Sequence, residues 1–292
     1  MIDAMDRIDV EYQSDGVTIA AWLYPVDGPG PHPAVIMSSG YAGVRGGLHG
    51  YGFPQAFAAA GLTTLLFDNP HLGASGGEPR QELDPLRQQR AYRDGITHLA
   101  SLDDVDSDRI GIWGTSYSGG HVLVVGAQDR RVKAVVSQAM TISGHANSLR
   151  RHSPTDYEAL AEQFSADRLG RSSGEAPQMV QAFSVESETY HKTMQRPPDE
   201  RDGWVNEITL RSLEMYDEYE PGMWISRVSP RPLLMIVPTG DRLTPSEDAF
   251  EAYNRALEPK RLVAVPGGHY AVYEEQFEVT SNAAIDWFGT YL

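Results

Sequence analysis

The feature that most limits the fold of this chain is a succession of short, largely apolar runs, most of them followed by a helix-like stretch. These runs are too short for helices and have the length of buried strands. They cover residues 34–37, 62–67, 110–113, 132–137, 232–237 and 261–265. Strands that are apolar throughout are buried on both faces, so the succession predicts a parallel sheet covered by helices on both sides.

Two more strands are predicted ahead of the first apolar run. Residues 8–12 and 17–24 alternate apolar and polar side chains around the turn Ser14-Asp15-Gly16, which is typical of a β-hairpin. Together with the six apolar runs, the hairpin predicts an α/β fold with a mostly parallel, eight-stranded sheet.

The succession stops between residue 141 and about residue 228. This stretch shows no strand pattern and carries charged, helix-like segments with many aromatic and Met side chains. We predict one α/β domain in two parts, residues 1–140 and 229–292, interrupted by a helical cap at residues 141–228. Aromatic and Met side chains favour an apolar, adaptable pocket, although most of them are expected to attach the cap to the core.

Charge and cysteine content exclude several classes of function. The chain has 24 Lys and Arg against 40 Asp and Glu, a formal net charge of −16, which repels nucleic acid and anionic membranes. The absence of Cys excludes disulfides, thiolate zinc sites and a Cys nucleophile. Residues 1–6 lack the basic start and apolar core of a signal peptide, and no apolar run approaches the roughly 18 residues of a membrane span. We therefore expect a soluble, cytoplasmic protein.

The segment at residues 114–120, GTSYSGG, separates the strand at 110–113 from a helix-like run. It fits the nucleophile elbow G-x-S-x-G, except that Ser118 stands where the last Gly usually does and Gly119 follows it. Such a turn would raise Ser116 Oγ above the sheet, at the positive end of a helix. An ordinary Gly/Ser turn stays open as an alternative, whereas a phosphate-binding loop is disfavoured because its glycine and lysine motifs are absent.

A Ser nucleophile requires a base and a carboxylate that orients the base. In this architecture they follow in the order Ser, acid, His, each on a loop after a strand. Asp241 comes directly after the run at 232–237, and His269 follows the run at 261–265. The sequence therefore predicts a catalytic triad of Ser116, Asp241 and His269.

Other acids and histidines fit these roles less well. Asp68 follows a strand that precedes the nucleophile, so we expect it to be structural, and Asp248 lies one helix too late. His121 is expected to pack on the helix behind Ser116. Four other histidines are assigned to loops (His32, His49 and His71) or to a helix (His98), and none has the required place.

The oxyanion of an acyl-transfer intermediate requires two backbone N–H groups. One is expected from Tyr117, which follows the nucleophile, and the other from the loop after the first apolar run. In that glycine-rich loop, residues 39–47, Tyr41 is the first candidate and Ala42 the second.

Several segments of the chain together resemble one known family. They are residues 67–68 (FD), 73–80 (GASGGEPR), 109–121 (RIGIWGTSYSGGH), 241–245 (DRLTP) and 267–270 (GGHY). They span nearly all of the chain outside residues 141–228. They resemble the α/β-hydrolase fold, in the branch of dienelactone-hydrolase-like and acetyl-xylan-esterase-like proteins that includes bacterial serine hydrolases and fungal polyketide transferases.

The resemblance implies that Ser116 is the nucleophile, His269 the base and Asp241 the orienting acid. It also implies that the oxyanion N–H groups come from Tyr41 and Tyr117. The mechanism that this triad predicts proceeds through an acyl-enzyme, and no metal or organic cofactor is expected.

The chain departs from this branch at two places. Ser39-Gly40 replaces a His-Gly pair, which keeps the backbone donor but is expected to change the hydrogen bonds of the loop. Asn69-Pro70 replaces a Tyr-Arg pair, which is expected to reshape the pocket wall.

The function that fits best is a serine hydrolase that cleaves an ester or thioester of a medium-sized, apolar, polyketide-like small molecule. An acyltransferase or a carbon–carbon bond hydrolase with the same triad stays open, as does a binding protein on the same fold. No nucleic acid or membrane partner is expected, and a homodimer stays open. Arg150 and Arg151 are interpreted as solvated charges, with pairing to an anionic substrate group as the alternative.

Overall fold

The protein is described here from a computed structural model that covers residues 7–292. Residues 1–6, for which the sequence predicts no signal peptide, lie outside the described residues. Ten strands are present among residues 7–292: β1 (Ile8–Ser14), β2 (Val17–Tyr24), β3 (His32–Ser38), β4 (Thr63–Phe67), β5 (Val105–Thr115), β6 (Val132–Gln138), β7 (Met179–Val180), β8 (Ile208–Thr209), β9 (Leu233–Pro238) and β10 (Lys260–Val265).

Eight of these strands form one sheet in the order β1-β2-β4-β3-β5-β6-β9-β10. The hairpin strand β2 pairs antiparallel with both β1 and β4, and every other neighbouring pair in this sheet is parallel. The predicted eight-stranded, mostly parallel sheet is confirmed.

Helices cover both faces of the sheet. The helices are α1 (Arg45–Tyr51), α2 (Phe53–Ala59), α3 (Pro85–Ala100), α4 (Tyr117–Gln128), α5 (Gly144–Arg151), α6 (Pro154–Ser172), α7 (Glu188–Met194), α8 (Leu210–Asp217), α9 (Ser246–Arg255) and α10 (Phe277–Tyr291). One apolar cluster joins the sheet to α3, α4 and α9, and a second joins its other face to α1, α2 and α10.

Residues 34–37 of the central strand β3 are all apolar because helices cover both faces of this strand. Ala34 and Ile36 lie in the first cluster, whereas Val35 and Met37 lie in the second. Successive side chains of a strand point to opposite faces, and here both faces are covered. All four side chains are fully buried.

Helix α1 lies where the sequence suggested only a glycine-rich loop. Its first N–H, from Arg45, donates to Asp68 Oδ1 over 2.7 Å. A Cβ on Gly46 would lie 2.5 Å from the backbone oxygen of Glu200, and a Cβ on Gly50 would collide with the Glu200 carboxylate. The glycines of α1 therefore make room for a short 3₁₀ helix, Pro198–Arg201, which packs against it.

The insertion, residues 141–228, lies between β6 and β9 and contains α5 to α8. It also contains β7 and β8, which pair antiparallel, so the expectation of a segment without strands is wrong. Each of these strands has only two residues, which is too short to show the two-residue period of a strand. In the part of the chain that the structure describes, no helix has both the length and the hydropathy for crossing a bilayer.

Candidate active site

Ser116 lies in the sharp turn between β5 and α4. Its backbone has φ 57° and ψ −120°, a region that non-glycine residues rarely adopt and that is typical of functional sites. The neighbouring Ser118 fixes this turn, because its Oγ accepts from the Thr115 N–H over 2.9 Å and donates to the Ser38 carbonyl over 2.8 Å. The sequence feature that indicated an elbow therefore folds into a strained strand-to-helix turn.

The structure brings the three predicted catalytic residues together. Asp241 follows β9, and His269 lies in the loop after β10. His269 Nε2 lies 3.1 Å from Ser116 Oγ, and His269 Nδ1 lies 2.7 Å from Asp241 Oδ2. Residues separated by as many as 153 positions thus form one continuous hydrogen-bonded row.

The Asp241 carboxylate is held ionised by its surroundings. Burial alone would raise its pKa, but the hydrogen bond and charge of His269 and the hydrogen bonds from Thr244 outweigh burial and lower the pKa below the usual value. Leu243 N and Thr244 N donate to Oδ1 over 2.8 and 3.0 Å. Because an ionised carboxylate only accepts, His269 Nδ1 must donate, and this leaves the lone pair of Nε2 facing Ser116.

The two rival carboxylates lie in other settings. Asp68 accepts from Arg45 N over 2.7 Å and from Ala74 N over 3.0 Å, so it joins the start of α1 to the loop after β4, and its burial raises its pKa. Asp248 forms a bidentate pair with Arg150, with distances of 2.6 and 2.7 Å. Neither carboxylate is hydrogen-bonded to His269.

His121 is a packing residue of α4. It is fully buried, with Nδ1 2.8 Å from the Tyr219 hydroxyl and Nε2 2.8 Å from Gln88 Oε1. Burial lowers its pKa to about 3, so the ring is neutral at ordinary pH. Both ring nitrogens are engaged, which leaves none for a reacting group.

The loop after β3 passes directly against the nucleophile. A Cβ on Gly40 would lie 2.9 Å from Ser116 Cβ and 3.2 Å from its Oγ, so this approach requires glycine. Gly40 precedes Tyr41, the predicted oxyanion residue, and Tyr117 opens α4. The first N–H groups of a helix have no acceptor within it, so the Tyr117 N–H is free of the helix ladder.

Ser39 closes this loop at the position where the resemblance predicted His. Its Oγ donates to the Val44 carbonyl over 2.9 Å, and Gly43 N donates to the Gly40 carbonyl over 3.1 Å. The loop is therefore fixed by short internal bonds that need no imidazole. The second departure, at Asn69, has no direct effect on the cavity wall, since Asn69 is buried outside the lining.

Ser116 and His269 open into a cavity of about 390 Å³ between the core and the insertion. Ligand pockets commonly have volumes of about 300–1,000 Å³. The insertion contributes lining side chains that the sequence did not single out for the pocket: Ala182, Phe183, Ser184, Ser187, Thr189, Lys192, Thr193, Arg196, Glu200, Arg201, Trp204, Leu213 and Tyr216. Thr189, Lys192 and Thr193 belong to α7, Leu213 and Tyr216 belong to α8, and the other residues come from turns and a 3₁₀ segment. Because no single element supplies the lining, no one periodic pattern in the sequence indicated it.

Aromatic rings form the wall next to the oxyanion loop. The Tyr41 ring centroid lies 5.4 Å from those of Tyr117 and Tyr216 and 5.9 Å from that of Phe183, all edge to face. Such contacts fix the rings and leave an apolar surface. Among residues 7–292, no group of three or more His, Asp and Glu side chains converges as a metal site requires.

Comparisons with known proteins agree with this geometry. Residues 15–271 match the X-Pro dipeptidyl-peptidase (S15) family. The quorum-quenching protein AidA of Acinetobacter baumannii is 29% identical, with 96% of this chain and 93% of AidA covered. The polyketide transferase grgF of a Penicillium species is also 29% identical, with 99% of this chain and 98% of grgF covered.

A solved structure has the same fold over its whole length. DcsB, in complex with its substrate analogue, superposes with a TM-score of 0.89 at 27% identity, covering 98% of this chain and 100% of DcsB. The α/β-hydrolase fold and the resemblance to the branch that includes the fungal polyketide transferases are confirmed.

Proposed function

Because this chain belongs to the X-Pro dipeptidyl-peptidase (S15) family and is an α/β-hydrolase enzyme, we propose that it is a serine hydrolase acting through Ser116, His269 and Asp241. Its substrate is an ester or thioester with a medium-sized, mainly apolar acyl part. The name of the family describes peptide cleavage, but two relatives that match nearly the whole chain are named for quorum quenching and polyketide transfer.

One observation carries this proposal. The row Ser116–His269–Asp241, with contacts of 3.1 and 2.7 Å, ends in a cavity between the core and the insertion and has its acid anchored by Leu243 and Thr244. Row and cavity together supply a nucleophile, a base and space for an acyl group, which are the requirements of acyl-enzyme chemistry.

In the first step, His269 Nε2 takes the proton of Ser116 as Oγ attacks the carbonyl carbon. The carbonyl oxygen becomes an oxyanion next to the N–H groups of Tyr41 and Tyr117, at the positive end of α4. The tetrahedral intermediate collapses, and the leaving group departs with the proton from His269. The acyl group is then bound to Ser116 Oγ.

In the second step, water gives a proton to His269 Nε2 and attacks the same carbonyl carbon. The acid product leaves as Ser116 takes the proton back. Asp241 stays ionised in both steps, because its lowered pKa keeps it a carboxylate while it stabilises the imidazolium of His269.

Acyl transfer is the second candidate, and two observations favour it. Relatives are named polyketide transferase and acyltransferase, and side chains of the insertion cover part of the cavity, which reduces access of water. In this alternative, an alcohol or amine takes the place of water in the second step. To separate hydrolysis from acyl transfer, the acid and butyl ester formed from one substrate are measured at increasing 1-butanol concentration. A transferase forms butyl ester at the expense of the acid.

Labelling with a fluorophosphonate, followed by intact-mass spectrometry, tests the nucleophile. We expect one adduct on the wild type and none on Ser116→Ala. p-Nitrophenyl esters from acetate to octanoate, assayed in parallel, measure turnover and the acyl length that fits the cavity.

Ser39→Ala is the matched control, because Ser39 also lines the cavity but uses its Oγ to close the loop. It should still form the adduct. An adduct that persists in Ser116→Ala, or ester turnover that is unchanged in it, would contradict the assignment.

A further inference from the structure

The cavity has the opposite charge to the whole chain. The chain carries a formal net charge of −16, whereas the lining within residues 7–292 holds four cations and one carboxylate: Arg151, Lys192, Arg196, Arg201 and Glu200. A net negative protein repels anions at long range, so a local group of cations is needed to attract one.

Two of these cations are already neutralised. Lys192 Nζ lies 2.5 Å from Glu274 Oε2, and Arg196 Nη1 lies 3.2 Å from Glu200 Oε2. Within the described residues, Arg151 and Arg201 form no ion pair with a carboxylate. The cavity therefore keeps two guanidinium groups whose charge is unbalanced.

The neighbours Arg150 and Arg151 differ in this respect. Arg150 donates to both oxygens of Asp248, over 2.6 and 2.7 Å, and does not line the cavity. Arg151 lines the cavity and donates once, from Nη2 to the Leu243 carbonyl over 3.1 Å. A guanidinium has five N–H donors in a planar fork, so most donors of Arg151 remain for another partner.

Arg151 lines the same cavity as Ser116 and His269. Leu243, its acceptor, belongs to the loop in which Asp241 is anchored. The Arg151 guanidinium lies 5.7 Å from the centroid of the Tyr216 ring, which in turn contacts Tyr41. A group bound by Arg151 would therefore belong to the same molecule whose carbonyl meets Ser116.

We propose that the substrate carries an anionic oxygen group, a carboxylate or a phosphate, and that Arg151 binds this group through its guanidinium fork. The inference rests on the proposed function and narrows its substrate to esters or thioesters with an apolar body and one anionic group. The same charge disfavours peptides that present a free N-terminal ammonium.

Two pairs of substrates test the inference and locate the anion. p-Nitrophenyl hydrogen glutarate against p-nitrophenyl valerate places a carboxylate on the acyl side at constant chain length. Butyryl-coenzyme A against butyryl-N-acetylcysteamine places phosphates on the leaving group. The measured quantity is the ratio of kcat/KM for the anionic and the neutral member of each pair.

We expect the wild type to prefer the anionic member of one pair. Arg151→Gln should lower that ratio by about 10- to 100-fold, mainly through KM, as expected for a lost hydrogen bond to a charged group. Arg151→Lys should keep part of the preference, because it retains the charge without the fork. Arg150→Gln is the control and should leave the ratio unchanged.

Equal kcat/KM within both pairs for the wild type would overturn the inference. A ratio that is unchanged in Arg151→Gln, or that falls only in Arg201→Gln, would overturn the role of Arg151. Ser116-dependent turnover of the neutral esters shows whether the proposed function holds, so the two failures are distinguishable. Calorimetric binding of glutarate to wild type and Arg151→Gln tests Arg151 without any turnover.

Discussion

Helices α4 and α6 show how differently the core and the insertion are held. Ten of the twelve residues of α4 are buried, between the sheet and the 3₁₀ segment Pro221–Arg227. Of the nineteen residues of α6, only Phe164 and Asp167 are buried. Helix α4 is therefore stabilised by removal of apolar surface from water, whereas α6, on the outside of the insertion, buries little.

Local polar contacts supplement the limited burial around α5, α6 and α7. A Ser side chain accepts an N–H at the start of each of three helices: Ser143 at α5, Ser153 at α6 and Ser187 at α7. Ion pairs attach the insertion to the core at Arg150–Asp248 and Lys192–Glu274. Exposed pairs of this kind contribute little, so we expect local opening to begin in the insertion.

The catalytic triad is anchored in the core, so the largest expected effect comes from a substitution there. Asp241→Asn removes the carboxylate that orients His269, so kcat/KM should fall by about 10⁴-fold. Asp248→Asn removes a carboxylate that pairs with the insertion and should change kcat/KM far less. Steady-state ester kinetics measures both, and equal losses would show that attachment of the insertion matters as much as the triad.

Truncation of an apolar side chain should lower the free energy of unfolding much more in the core than in α6 of the insertion. Ile36 is fully buried in β3, and Ile36→Ala should cost about 2–5 kcal/mol. Leu169, in α6, is 73% exposed, and Leu169→Ala should cost less than about 0.5 kcal/mol. Urea unfolding measures both. A cost for Leu169→Ala near that of Ile36→Ala would mean that a partner covers α6 in solution.

The contact between residues 198–201 of the insertion and α1 can be disturbed without a change in the core. Gly46→Ala places a Cβ 2.5 Å from the backbone oxygen of Glu200 and should cost about 1–3 kcal/mol by overpacking. Hydrogen exchange should rise in residues 198–201 while the central strands keep their protection. Gly47→Ala is the control, since its nearest neighbour is Arg196 Nε at 3.8 Å. Equal hydrogen exchange of residues 198–201 in both variants would show that Gly46 is not needed for this contact.

A buried carboxylate of the insertion gives the smallest effect. Burial raises the pKa of Asp167, but the hydrogen bonds from Gln178 N and Arg171 outweigh burial and lower it below the usual value. Its ionised form therefore stabilises the fold above about pH 3.9, and this contribution is lost as the pH falls through the folded-state pKa. Asp167→Asn should cost about 1–2 kcal/mol near pH 7.

Urea unfolding at about pH 7 and pH 3 checks this sign. The wild type should lose more stability than Asp167→Asn on acidification. Glu162→Gln removes the same charge from an exposed position of α6 and should behave like the wild type. A steeper loss in Asp167→Asn would show that the sign is wrong.

The sheet and the arrangement around Ser116 could be predicted because both depend on local order along the chain. An apolar run such as residues 34–37 indicates a strand that is buried on both faces, whichever helices pack against it. Asp241 directly follows a strand, and His269 lies in the loop after the next one, and parallel strands bring their carboxyl ends to one edge of a sheet. Their meeting at Ser116 therefore follows from topology.

The insertion could not be predicted in this way. Helix α1 contains Gly46, Gly47 and Gly50, which disfavour a helix, and the contact with Glu200 that requires two of them lies about 150 residues away. Arg150 and Arg151 are adjacent and chemically identical, and packing alone separates their partners. Where local signals are weak, long-range contacts decide the structure.

The contact between α1 and residue 200 has a consequence for the evolution of the chain. Gly46 faces the backbone of Glu200, so it must stay glycine in every homologue that docks this segment in the same way, whichever residue stands at position 200. Gly50 faces the carboxylate instead. Positions 50 and 200 should therefore covary, with a larger residue at 50 accompanying a shorter side chain at 200.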